Sequence, residues 1–158
     1  MLENSKHIII IGAGIAGLTA ALSLRHFGIR TSIYERSPKI ISAGAGIQLS
    51  PNANRVLSRI GVLKEISSVS IRCHGVKVFD YKSNQQLALF DYMKFKGNDL
   101  FYFCHRADLV GILYAACQKL EIPVYFNKKV EKIVNNKAIF SDGAVSYTHL
   151  TLPTTLQV

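Results

Sequence analysis

The segment Gly12-Ala13-Gly14-Ile15-Ala16-Gly17, with Glu35 twenty-three positions after its first glycine, is the part of this chain best suited to holding a ligand. The three glycines have separate uses. Gly12 permits a tight turn, Gly14 lets a phosphate come close to the backbone, and Gly17 lets a helix pack tightly against the preceding strand. Ile15 and Ala16 open that helix, whose free N–H groups and positive dipole end favour a pyrophosphate. Glu35 carries a carboxylate able to accept the two hydroxyls of an adenosine ribose. It would repel a 2′-phosphate, so FAD or NAD is favoured over NADP. No carboxylate pair, Ser/His/Asp set or metal-ligand cluster in the sequence offers a competing chemistry.

These residues need two strands and a helix to position them. His7–Ile11 reads as an apolar strand, the helix runs past the small Ala21 to Gly28, and a second strand ends at Glu35. A lone glycine motif is weak, but here strand, helix, glycine and acid stand in register. Beyond a polar loop at 36–39, Gly44 and Gly46 among small residues mark backbone that passes close to a ligand. Ser50-Pro51 predicts a helix start, with Ser50 as N-cap, Pro51 at the first helical position, and Ala53, Val56, Leu57 and Ile60 as the apolar face. From about Ile66 the texture becomes strand-like, with a hairpin over 75–81 and 86–90 and a further strand over 100–104. That strand leads through His105-Arg106 into a third helix with the stripe Leu109, Ile112, Leu113, Ala116 and Leu120. Strands are also expected at 124–126, 130–134 and 137–140, with a turn at Ser141-Asp142-Gly143. The aromatic residues Phe79, Tyr81, Phe90, Tyr92, Phe95, Phe101, Tyr102 and Phe103 concentrate in the strand-rich segment and read mostly as core.

A length of 158 residues suffices for one α/β domain but is short for an enzyme that holds a dinucleotide and a second substrate. The net charge of +9 does not indicate a nucleic-acid partner, because its Lys and Arg residues are scattered rather than blocked. The cluster Lys128, Lys129, Lys132 and Lys137 reads as the solvated side of a hairpin. No apolar run reaches the roughly 18 residues of a membrane span, and the start does not read as a signal peptide. Three cysteines without CxxC spacing point to a reduced, cytoplasmic setting.

Four segments together resemble the amino-terminal part of the single-component FAD-dependent aromatic hydroxylases of the para-hydroxybenzoate hydroxylase fold. They are Gly12–Gly17, Glu35-Arg36, the run Ala43-Gly44-Ala45-Gly46-Ile47-Gln48-Leu49-Ser50-Pro51-Asn52-Ala53, and His105-Arg106-Ala107-Asp108-Leu109. The similarity extends from residue 7 to about 144, and salicylate hydroxylase, 3-hydroxybenzoate 6-hydroxylase and 6-hydroxynicotinate 3-monooxygenase are members of that group. The resemblance implies an α/β, Rossmann-like FAD-binding domain, truncated, with the beginning of a β-rich substrate domain inserted. It places FAD contacts at Gly12, Gly14, Ile15, Ala16, Gly17, Glu35, Arg36, Gly46, Gln48 and Arg106, and a weaker one at Val130 beside the adenine. A guanidinium at Arg106, near a helix start, offers forked donors to phosphate or ribityl oxygens. The implied reaction is NAD(P)H- and O₂-dependent transfer of one oxygen atom to a small aromatic substrate, with catalytic residues outside this chain and the chain alone inactive.

On this reading residues 1–65 and 106–144 form a discontinuous, incomplete FAD-binding domain and 66–105 the first strands of the substrate domain. Residues 145–154 can be written as GTC TCT TAT ACA CAT CTG ACG CTG CCG ACG, which resembles a transposon end and adapter of sequencing libraries. The expectation is therefore that gene-derived sequence ends near Ala144 and that 145–158 carry no function. Two alternatives stand beside this one: a nucleotide-binding module without catalysis, and another flavin oxidoreductase such as a halogenase, reductase or amine oxidase.

Overall fold

A computed structural model of the chain describes residues 7–40, 45–94 and 100–147. Expectations on Ala43, Gly44, Phe95 and residues 148–158 lie outside these. The described residues divide into two units, one drawn from 1–42 and 110–158, the other from 43–109.

In the first unit, β1 (His7–Ile11) is followed by α1 (Ile15–His26) and by β2 (Arg30–Tyr34), which lies parallel to β1 with His7 opposite Arg30 and Ile11 opposite Tyr34. Helix α1 turns Leu18, Ala21 and Leu22 inward, the spacing of one helical face. Its end is set by Gly28 at φ +73°, with N–H bonds from Gly28 to the Arg25 carbonyl at 2.9 Å and from Ile29 to the Leu24 carbonyl at 3.0 Å. This is the glycine-terminated pattern that satisfies the last carbonyls of a helix. A parallel neighbour needs a crossover. Accordingly β8 (Val124–Tyr125) reaches the far side of β2 after α4 (Arg106–Lys119), giving the order β1-β2-β8. Ile33 of β2 is fully buried, as are Leu113 and Cys117 of α4. The Cys117 thiol reaches the Leu18 carbonyl at 3.8 Å and so ties α4 to α1.

The same unit carries an antiparallel meander of β9 (Val130–Val134), β10 (Lys137–Phe140) and β11 (Val145–Tyr147). Asn135 and Asn136 make the first turn at φ +46° and +61°, a conformation asparagine tolerates better than most residues. The pairing of β11 needs no special sequence: an open strand edge and the β-prone Val145 and Tyr147 are sufficient.

In the second unit, β3 (Gly46–Leu49) and β4 (Ile71–Cys73) flank β7 (Phe101–His105), both antiparallel to it. Helix α2 (Pro51–Arg59) starts at Ser50, but the Ser50 hydroxyl makes no capping bond; its carbonyl instead accepts the Asn54 N–H at 3.0 Å. The expected apolar face is also altered. Val56 is exposed, and Asn54 is buried beside Leu57, its amide donating to the Leu100 carbonyl at 2.6 Å. Where strands were expected from Ile66, the chain first forms α3 (Leu63–Ser68), which buries Ile66. Ser67, Ser68 and Ser70 donate their hydroxyls to carbonyls three or four residues back, which favours this short turn of helix over extension.

The hairpin of β5 (Gly75–Phe79) and β6 (Gln86–Asp91) forms as expected, as a separate two-stranded sheet. Its aromatic residues are not core: Phe79, Tyr81 and Phe90 are exposed, as is Phe103. Two strands alone enclose nothing.

Candidate functional site

The turn after β1 is held from both sides. The Gly12 N–H donates to the Tyr34 carbonyl at 2.8 Å, and Gly12 adopts φ +96°, a conformation open to glycine. A Cβ on Gly17 would lie 1.9 Å from the Gly12 carbonyl oxygen, so only glycine lets α1 start this close to the turn. Gly14 differs: a Cβ there meets nothing within 4 Å and its φ is an ordinary −83°. Nothing in the described protein explains the absence of a side chain at Gly14, whereas a ligand drawn against the backbone would.

Around that opening the N–H groups of Gly14, Ile15, Ala16 and Gly17 find no acceptor among the described residues. No acidic side chain occupies the first turn of α1. Unpaired donors at the positive end of a twelve-residue helix are a receptor for an anion. Glu35 closes the other side. One carboxylate oxygen accepts the Ala13 N–H at 2.8 Å and the other accepts the Ser37 N–H at 2.9 Å. Partial burial pushes the Glu35 pKa up, but the N–H groups of Ala13 and Ser37, the Ser37 hydroxyl and the Arg36 charge together hold it below the ordinary value. A carboxylate offers about four acceptor sites, so these donors still leave Glu35 acceptor capacity for a ribose hydroxyl. Donors, space and acceptor thus fit the diphosphate and ribose of a dinucleotide such as FAD.

The strand order carries further chain to this carboxylate. Glu35 donates its N–H to the Tyr125 carbonyl at 2.8 Å, and its carbonyl accepts the Lys128 N–H at 2.8 Å. Tyr34 stacks on Tyr125 with ring centroids 5.0 Å apart and lies 4.7 Å from Phe140. Lys128 pairs with Asp142 and sits over the Phe140 ring at 5.8 Å. Val130 follows two residues later at the head of β9, opposite Phe140. The sequence assigns no site role to Ala13, Ser37, Tyr125 or Lys128. Ser37 stood two residues from an acid, a local signal for such a bond. The pairing of 125–128 with 34–37 spans about ninety residues of sequence and left no signal.

Gly46, Gln48 and Arg106 lie in the second unit. Gly46 is paired with His105 and Gln48 with Phe103 in the β3–β7 register, and the Arg106 N–H donates to the Ala45 carbonyl at 3.2 Å. The two sequence segments that carry them, far apart in the chain, are therefore neighbours. Gly12, Gly14, Ile15, Ala16, Gly17, Glu35 and Arg36 stand together in the first unit.

Residues 5–142 match the family model described as FAD binding domain. The 3-amino-4-hydroxybenzoate 2-monooxygenase of Streptomyces cremeus is 35% identical over 112 residues, covering 69% of this chain and 28% of the relative. The 3-hydroxybenzoate 6-hydroxylase 1 of Aquipseudomonas alcaligenes is 35% identical over 148 residues, covering 88% of this chain and 37% of the relative. The chain thus spans about a third of the length of these relatives. In fold it is similar to a crystal structure of 2-methyl-3-hydroxypyridine-5-carboxylic acid oxygenase, with a TM-score of 0.82 at 22% identity over 92% of this chain and 38% of that one.

Proposed function

The chain belongs to the FAD binding domain family, and we propose that it is the FAD-binding part of an NAD(P)H-dependent monooxygenase that hydroxylates a small aromatic compound. The observation that carries this reading is the Glu35 carboxylate, pinned by the Ala13 N–H at 2.8 Å beside four unpaired N–H groups at the start of α1. In the proposed complex the N–H groups of Gly14 to Gly17 receive the pyrophosphate, and the free lone pairs of Glu35 accept the adenosine ribose hydroxyls. Arg36 adds positive charge beside them, and Val130 lies against the adenine. Gly46, Gln48 and Arg106 are proposed as further FAD contacts. When bound, FAD supplies the redox chemistry with NAD(P)H and O₂.

In the same proposal residues 1–65 and 106–144 are the cofactor-binding domain, and 66–105 begin the substrate domain, with the exposed apolar face of β5–β6 as part of its layer. The similarity to relatives named for hydroxybenzoates and aminohydroxybenzoates supports an aromatic substrate that already bears a ring hydroxyl. A cytoplasmic setting is consistent with the free, buried Cys73, Cys104 and Cys117.

The test is to express the full-length protein that carries this domain and follow NAD(P)H oxidation with a panel of hydroxylated benzoates. FAD-dependent oxidation coupled to a product one oxygen heavier is expected. A protein that binds FAD but yields no product with any ring, or a halogenated one, overturns the assignment.

A further inference from the structure

Asn54 is wholly buried on α2, yet its polar side chain is only half answered. The amide donates to the Leu100 carbonyl at 2.6 Å, while the side-chain oxygen has no hydrogen-bond partner among the described residues. A buried amide with one unanswered atom costs more than an apolar side chain of similar shape, so stability does not account for it. Buried polar groups that cost stability are best attested as devices that fix one register among several.

The strand pair beside Asn54 needs such a device. β3 ends at Leu49 and β7 starts at Phe101, so no tight turn sets their register. Ile47, Leu49, Tyr102 and Cys104 share one face of the pair, and Gln48, Phe103 and His105 share the other, which is exposed. This alternation excludes a slip of one residue, which would exchange the faces, but not a slip of two. Phe101 stacks on Tyr92 with ring centroids 4.0 Å apart, but Phe103 would offer the same ring after such a slip. β4 pairs with β7 through three residues, by backbone bonds indifferent to side chain. The Leu100 carbonyl meets the Asn54 amide in one register only, because two residues of slip carry it about 7 Å along the strand.

We infer that Asn54 is a positioning residue: its bond to Leu100 locks β7 in the register that sets Gln48 opposite Phe103 and Arg106 beside Ala45. It thereby fixes the spacing of Gln48 and Arg106, and its bearing on FAD rests on the proposed contacts of those two residues.

The register is read by disulfide trapping in the full-length protein that carries this domain. A thiol introduced by Ile47→Cys lies opposite the native Cys104, within the span of a disulfide, whereas Leu49→Cys and Ala45→Cys reach it only after a slip of two residues in one direction or the other. With Asn54 in place, diamide should cross-link the first alone, as read by peptide mass mapping. In the Asn54→Leu background one of the slipped pairs should appear, and FAD affinity should fall about tenfold, the value for a native register held by about a tenth of the molecules. Asn54→Asp gives a second readout. Its neutral acid can donate to the Leu100 carbonyl and its carboxylate cannot, so its FAD affinity relative to wild type should recover as pH falls through its titration. Asn54→Leu that cross-links only through Ile47→Cys, or Asn54→Asp whose relative FAD affinity is independent of pH, overturns the role. Because trapping does not involve FAD, a protein that shows the Asn54-dependent cross-linking and binds no flavin supports the register role and refutes the FAD assignment.

Discussion

Glu35 is charged because donors converge on it, and that has a consequence for stability. Its folded pKa lies below the ordinary 4.5, since the N–H groups of Ala13 and Ser37 and the Arg36 charge outweigh the upward push of burial. A depressed carboxylate pKa means that the folded state binds fewer protons. The stabilising contribution is therefore complete above pH 4.5 and is lost as pH falls through the folded value. Urea denaturation of the wild type and Glu35→Gln across this range should show a stability gap that closes on the acid side; a gap independent of pH would contradict the bonding seen here. The two inner glycines separate in the same way. Gly17→Ala sets a methyl 1.9 Å from the Gly12 oxygen and should cost about 1–3 kcal/mol or more through forced displacement of α1. Gly14→Ala meets nothing within 4 Å, so thermal denaturation should move by less than about 1 kcal/mol while FAD affinity falls. If Gly14→Ala unfolds the protein instead, the glycine is structural and not a ligand contact.

At the level of elements, α1 and α4 end in the same hydrogen-bond pattern with different residues. Ile122 donates to the Cys117 carbonyl at 2.9 Å and Glu121 to the Gln118 carbonyl at 3.0 Å, matching Ile29 and Gly28 after α1. The left-handed position is Gly28 in one helix and Glu121, at φ +55°, in the other. Glu121→Gly should therefore stabilise by about 0.5–1 kcal/mol, less the entropy glycine loses on folding, and a destabilised variant in a melting experiment would show that the Glu121 side chain has a use. These two ends also show what a sequence discloses. β1 and α1 were legible from their apolar runs, and β2 from its place between Gly28, which marks the helix stop, and Glu35, whereas Glu121 carries no such mark. α3 was illegible because six residues hold too little periodicity, and its serines bond locally. Asn54 broke the stripe of α2 because a carbonyl at Leu100, supplied by distant chain, pairs with its amide. The hairpin aromatics were misjudged because composition shows apolar surface but not whether another layer covers it. Of the candidate site, the glycine turn and Glu35 could be read directly, while the neighbours of Glu35 at 125–128 depend on the crossover through α4.

For the molecule as a whole, the strand order places the apolar β1 at the edge of its sheet, with Ile11 45% exposed, and the chain spans about a third of its curated relatives. Each unit thus leaves surface unfinished, an open strand edge at β1 in the first and an uncovered apolar hairpin in the second. The 158-residue chain alone should then show no NAD(P)H-dependent hydroxylation and should hold FAD only weakly, which a coupled oxidation assay and flavin retention on gel filtration would check. The most direct measurement of the central claim is calorimetric titration of FAD into the protein expressed from its complete reading frame, beside Glu35→Ala and Gly14→Val. The account predicts that Glu35→Ala weakens FAD by about 1–3 kcal/mol, as for loss of a charged hydrogen-bonding group, and that Gly14→Val weakens it more by filling the space of the pyrophosphate. Unchanged FAD affinity in both variants would contradict it.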